Sequence, residues 1–206
     1  MSTQPKRFLT PEEYLEIEYK AEYKSEYFAG EMFAMAGGSD KHTLLAVEAA
    51  RILGNQFVGR PCLVYNSDMR IRVSETGLYT YPDVSAVCGP SQLEGGHNQT
   101  LLNPNLIVEV LSPSTEAYDR GRKFEHYGTI PSLTQYLLIA SDRVHADLFT
   151  RRGDEGVWML ASASKPDDML HLTSVDCTMR LIDLYVRTDL IEQAAPSPPT
   201  AGDTVK

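Results

Sequence analysis

Apolar residues change their spacing along the chain, and the changes divide it into elements. Thr10-Pro11-Glu12-Glu13 has the N-cap threonine, first-turn proline and third-position glutamate of a capping box, which predicts a helix to about Tyr19 with its charged face in water. Glu26 to Ala36 reads as a hairpin, with Phe28, Met32 and Phe33 on either side of the turn Ala29-Gly30. Gly37-Gly38-Ser39-Asp40 then breaks the strand and caps a second helix. Leu45, Ala46, Ala49, Ile52, Leu53 and Gln56 recur there at helical spacing until Gly59-Arg60-Pro61.

Three strands are predicted next, at Cys62 to Val73, Asp83 to Cys88 and Leu106 to Leu111, and the last, being the most apolar, belongs at the centre of a sheet. A helix from about Thr115 to Tyr127 ends at Gly128, and strands follow near Gln135 to Ala140, Ala146 to Arg151 and Val157 to Ala161. This order describes an α/β fold with a mixed central sheet flanked by helices, not a repetitive βα array. After Asp189 the chain turns to Ala, Pro, Ser and Thr. Residues 1–190 therefore read as one domain and 191–206 as a disordered tail.

Composition narrows the function. A net charge of −9 argues against a protein that coats nucleic acid through basic groups. The acid is concentrated, however, with seven glutamates against two lysines between Glu12 and Glu31, leaving Arg70, Arg72, Arg120, Arg122 and Lys123 to form a phosphate-facing patch. Cys62, Cys88 and Cys177 are an odd number with no close pair and read as reduced. Neither a membrane-length apolar run nor an N-terminal signal stretch is present, so the expected setting is cytoplasmic, without membrane contact. His97, His126, His145 and His171 lack metal-ligand spacing, and nucleophile-elbow, phosphate-loop and dinucleotide motifs are missing.

The chemical anomaly is Glu109 within Leu106-Ile107-Val108-Glu109-Val110-Leu111. An ionised carboxylate in a buried strand costs several kcal/mol unless a metal or a lysine compensates it. An edge position or a structural salt bridge would also explain it. Twenty-six residues upstream, Tyr81-Pro82-Asp83-Val84 places an aspartate at the head of a strand that a hairpin-like return would bring beside Glu109. Two converging carboxylates suit a hard divalent cation such as Mg²⁺. Asp119, Lys123 and Tyr127 recur every fourth residue on the following helix, so Lys123 is positioned to reach back over the strand ends and orient an attacking water. An ordinary surface ion pair between Asp119 and Lys123 is the alternative.

These residues, with Leu102-Asn103-Pro104, Val108 to Thr115 and Tyr118-Asp119-Arg120-Gly121-Arg122-Lys123-Phe124-Glu125-His126-Tyr127, resemble the Uma-two family of bacterial restriction-endonuclease-like proteins. The resemblance runs from about Leu9 to Tyr185 and includes Ala29-Gly30-Glu31 and Gly37-Gly38-Ser39-Asp40-Lys41-His42. It implies the PD-(D/E)xK nuclease fold, with Asp83 and Glu109 binding Mg²⁺ or Mn²⁺, Glu31 as a further acidic ligand, and a lysine completing the site. The lysine usual two residues after the glutamate is here Leu111, and the resemblance moves that role to Lys123. His42 shares the apolar face of Leu45, Ala46 and Ala49 and reads first as a packed histidine, with a supporting or substrate-facing role as the alternative.

The expected function is thus a metal-dependent endonuclease acting on DNA, with a homodimer as the expected assembly. The alternative is a nuclease fold that binds nucleic acid or a protein partner without cutting.

Overall fold

The computed structural model describes residues 8–35, 37–95, 100–153 and 156–194. His97 and the tail beyond residue 194 lie outside the described residues.

Helix α1 (Pro11–Lys20) starts on the capping box: Glu13 N donates to Thr10 Oγ1 at 3.2 Å and Thr10 N donates to the Glu13 carboxylate at 2.9 Å. Strands β1 (Ser25–Phe28) and β2 (Glu31–Ala34) form the predicted hairpin. Ala29 and Gly30 both have positive φ, 50° and 86°, the pairing whose twist matches that of the flanking strands. Gly30 is also needed for space, since a Cβ there would stand 2.7 Å from Phe8 Cβ. Helix α2 (Asp40–Phe57) follows, N-capped by Ser39.

The stretch Cys62 to Val73 is two strands, not one. β3 (Cys62–Asn66) and β4 (Arg70–Val73) are separated by a turn in which the Asn66 side chain accepts from Asp68 N at 3.1 Å, a local bond that competes with continued pairing. The turn sends the two strands into different sheets. β5 (Leu78–Thr80) and β6 (Val84–Cys88) make the reverse crossing through Tyr81-Pro82-Asp83. Short β7 (Leu93–Glu94) and β8 (Thr100–Leu101) precede β9 (Leu106–Leu111).

The segment predicted as one helix is α3 (Glu116–Tyr118), a π-helical turn (Asp119–Lys123) and α4 (Phe124–Tyr127). β10 (Gln135–Ala140), β11 (Ala146–Arg152), β12 (Val157–Ala163), the β13–β14 hairpin (Met169–Leu172, Cys177–Arg180), α5 (Leu181–Leu184) and α6 (Leu190–Ala194) complete the chain. α6 occupies the first residues expected to be tail. Leu190 is buried, and Ile191 packs on the core.

One six-stranded sheet has the order β12-β11-β10-β9-β6-β3 and places β9 inside, as its composition predicts, between parallel β10 and antiparallel β6. A second six-stranded sheet, β2-β1-β5-β4-β8-β7, covers part of it. Strand alternation then sorts β9 between two cores. Leu106, Val108 and Val110 join α2, α5 and the β13–β14 hairpin, while Ile107 and Leu111 join β4, β5, β8 and Tyr127. Glu109 shares the face of Ile107 and Leu111, between the sheets.

The cysteines require a correction. Cys62 and Cys88 are joined by a disulfide. They are direct partners across the antiparallel β3–β6 pair, with Cα atoms 4.0 Å apart. Spacing along the chain hides such a pair, because strand register makes it. Cys177 is free and buried.

Candidate active site

The β6–β9 register pairs Val84 with Val108, so Asp83 and Glu109 come side by side on one face at the mouth of the inter-sheet space. Val110 N donates to Asp83 Oδ2 at 2.7 Å, and Asp83 N points at Glu109 Oε2 across 3.4 Å. Glu109 is 4% exposed, and its other oxygen accepts from Lys123 Nζ at 3.0 Å and from Tyr127 OH at 2.9 Å. The first carboxylate is thus fixed by backbone and the second by the helix that crosses from β9 to β10.

The stripe Asp119, Lys123, Tyr127 faces inward through the π turn, a helix irregularity that often accompanies functional residues. Lys123 Nζ is 3.3 Å from Asp119 Oδ1 and 3.3 Å from Glu26 Oε1 as well as bonded to Glu109. Glu26 also accepts from Thr80 Oγ1 and, at 3.0 Å, from Tyr118 OH. Glu26 was not anticipated. Its alternation with Tyr27 in β1 marks it only as facing one side of a hairpin, and nothing in the sequence says that this side is covered. Glu31, expected as a further acidic metal ligand, opens β2 opposite Phe28, two residue pairs from Glu26. The hairpin register makes Glu26 the carboxylate that meets Lys123.

His42 lies in the first turn of α2, with Nε2 3.2 Å from Asp83 Oδ2. Gly38 passes so close that a Cβ there would stand 2.4 Å from His42 Nδ1. The side chain is part exposed and lines a cavity of about 540 Å³ together with Asp83 and Tyr81.

Four carboxylates, Asp83, Glu109, Asp119 and Glu26, therefore crowd one ammonium and one imidazole. Burial pushes Glu109 up to about 8 against the pull of Lys123, with Asp83 and Asp119 adding to the rise. Burial likewise raises Asp119 despite Lys123. Burial disfavours charge on Lys123, but Glu109, Glu26 and Asp119 outweigh it and hold the ammonium well above the usual lysine range. The hydrogen bond to Asp83 raises His42 against its own burial.

The patch expected from the basic residues is largely consumed inside the fold. Lys123 and Arg70 are buried, Arg72 pairs with Glu94, and Arg120 bridges Glu116 and Asp147. Arg122 alone of the five is exposed.

Among the described residues no three His, Cys, Asp or Glu side chains form a metal-holding group. A Mg²⁺-sized ion needs no such cage, since it keeps several waters and takes one or two carboxylates together with substrate oxygens. Asp83 and the Asp83-facing oxygen of Glu109 fit that pattern, and the surplus of acid favours a cation.

Residues 11–180 match the Uma2 family model, described as "Putative restriction endonuclease". The chain is 41% identical over 177 residues to the uncharacterized protein slr1290 of Synechocystis, covering 86% of this chain and 91% of that one. It is 36% identical over 154 residues to the uncharacterized protein sll1609 of the same organism, covering 75% and 86%. A crystal structure described as a putative nuclease belonging to DUF820, from Anabaena variabilis, superposes with a TM-score of 0.67 at 17% identity, over 85% of this chain and 96% of that one. At that identity the match establishes a shared fold. Among the described residues no helix is long and apolar enough to cross a membrane.

Proposed function

This chain belongs to the Uma2 family, and from that premise we propose that it is a divalent-metal-dependent endonuclease that hydrolyses DNA phosphodiesters, with Asp83 and Glu109 holding Mg²⁺ or Mn²⁺. The observation that carries the reading is the side-by-side placement of these two carboxylates, backed by a buried ammonium and an excess of acid. A bound cation would supply Lewis-acid charge at the phosphoryl oxygen and lower the pKa of a water.

The chain's own residues do the rest. The Val110 amide and His42 orient Asp83, and Tyr127 and Lys123 orient Glu109. With its ammonium shared among three carboxylates, Lys123 acts as a positioning residue. The attack-aligning role expected of it from the sequence is proposed alongside this positioning. Asp119 and Glu26 keep Lys123 charged, and Glu31 is not carried into this ligand set.

The test is plasmid cleavage by purified protein in Mg²⁺ or Mn²⁺. Asp83→Ala and Glu109→Gln should abolish metal-dependent cutting while leaving the circular dichroism spectrum unchanged; Mg²⁺-dependent activity persisting in Asp83→Ala sinks the proposal. A second reading, a nuclease fold that binds without cutting, draws support from the internal pairing of most of the basic residues. Calorimetric titration separates the two, because a dead site gives no saturable Mg²⁺ or Mn²⁺ heat. The cytoplasmic setting sits uneasily with the Cys62–Cys88 bond, since disulfides are rare where thiols are kept reduced.

A further inference from the structure

Beside the carboxylates lies a second cavity, of about 670 Å³, the size of a small-molecule site. It shares Lys24, Asn66 and Tyr81 with the cavity at His42 and Asp83, so the two adjoin, and the groove formed by this second cavity lies beside the candidate metal position. Tyr81 is the hinge of the groove, two residues before Asp83 at the corner where the chain passes between sheets.

The groove has few cations to offer a phosphate backbone. Lys24 Nζ is bound to Asp68 Oδ1 at 2.7 Å and to Ser67 O at 2.8 Å, and Arg70 is buried against Tyr81 OH and Thr100. It is instead aromatic and rich in acceptors. Tyr23 is two-thirds exposed, and Tyr65 lines the wall.

Glu18 sits among the lining residues at 6% exposure. One of its oxygens accepts from Ser25 N and Tyr81 OH, both at 2.9 Å, while Oε2 has no hydrogen-bond partner among the described residues. A buried acceptor left unmatched costs free energy unless a ligand or an ordered water supplies the donor. Stacking rings with an unmatched acceptor are the complement of a nucleobase amino group, and a base inside a duplex is stacked and paired and cannot enter.

We propose that this cavity takes an unpaired nucleobase bearing an exocyclic amino group, so that the nucleotide beside the scissile phosphate is single-stranded or flipped out of a duplex. The proposal rests on the nuclease reading for its phosphate but is measured without cleavage. Cytosine and thymine differ at ring position 4 by an amino group against a carbonyl, as well as at N3 and the 5-methyl, so the two bases together with Glu18→Gln report on Glu18.

In EDTA, fluorescence anisotropy of the full chain with labelled single strands should show oligo(dC) bound about ten-fold more tightly than oligo(dT), and more tightly than a duplex containing the same oligo(dC) strand. In Glu18→Gln the side-chain carbonyl can keep the bonds from Ser25 and Tyr81 while the amide NH₂ replaces Oε2. The dC-over-dT order should then reverse, a result a purely structural role would not produce. Tyr23→Ala, exposed and outside the core, should weaken both strands about ten-fold through lost stacking.

Equal binding of oligo(dC) and oligo(dT) by the unaltered chain overturns the proposal, as does a folded Glu18→Gln that keeps the original order. If Glu18→Gln fails to fold, the dC-to-dT ratio of the unaltered chain and the Tyr23→Ala loss decide it. A chain that cuts DNA with Mg²⁺ but shows no dC preference loses the base pocket and keeps the nuclease reading. One that prefers dC but never cuts keeps the pocket and loses the nuclease.

Discussion

Replacing Lys123 with methionine removes the single ammonium that three carboxylates share while keeping most of the side chain's volume. The contacts are 3.0 Å to Glu109 and 3.3 Å each to Asp119 and Glu26, all in a buried setting. At such distances and an effective dielectric near 20, each pair is worth about 5 kcal/mol of attraction before the cost of desolvation. Removing one partner of a buried pair leaves an uncompensated charge and destabilises by roughly 3–5 kcal/mol. For a domain of this size that lowers the melting temperature by about 6–20 °C.

The loss depends on pH in a stated direction. Burial already raises Glu109 and Asp119, and without the ammonium both rise further. The folded variant then binds more protons than its unfolded chain across the window between the ordinary and raised values, so its stability falls as pH rises through that window. Thermal unfolding followed by circular dichroism at pH 5 and pH 8, in EDTA, should show the deficit of Lys123→Met largest at pH 8. Adding Glu109→Gln to Lys123→Met should restore part of it, because that change removes one of the stranded carboxylates, and the double-mutant cycle should give a coupling of about 2 kcal/mol. An unchanged melting temperature at pH 8, or a deficit that does not shrink at pH 5, refutes the picture of an ammonium neutralising crowded acid.

Thiol titration of denatured, unreduced protein should find one reactive cysteine, Cys177, and Cys62→Ser should destabilise by roughly 2–5 kcal/mol through the lost cross-link between residues 26 apart; three reactive thiols would contradict the bond. Gly38→Ala should force His42 away from Asp83, lowering metal-dependent cleavage several-fold with a stability change within about 1 kcal/mol, since the loop borders the core without joining it. Mass measurement in solution tests the expected homodimer: a mass of a single 22.9 kDa chain at micromolar concentration rejects it.

Local chemistry made much of this protein legible from sequence. Thr10-Pro11-Glu12-Glu13, Ala29-Gly30 and Ser39-Asp40 each set an element boundary through bonds or backbone angles confined to a few residues, and the structure places those boundaries where they were read. The unbroken apolar run around Glu109 implied a strand buried on both faces, and such a strand must compensate its carboxylate. What pairs across space was not legible. The convergence of Glu26 on Lys123, the Cys62–Cys88 bond, the split of Cys62–Val73 between two sheets and the burial of Arg70 all depend on strand register and on which hairpin face is covered. Those are decided by contacts between residues far apart in the chain, each weak on its own. Only the packed whole selects among them, because a one-residue slip in register would turn every side chain of a strand to the opposite face.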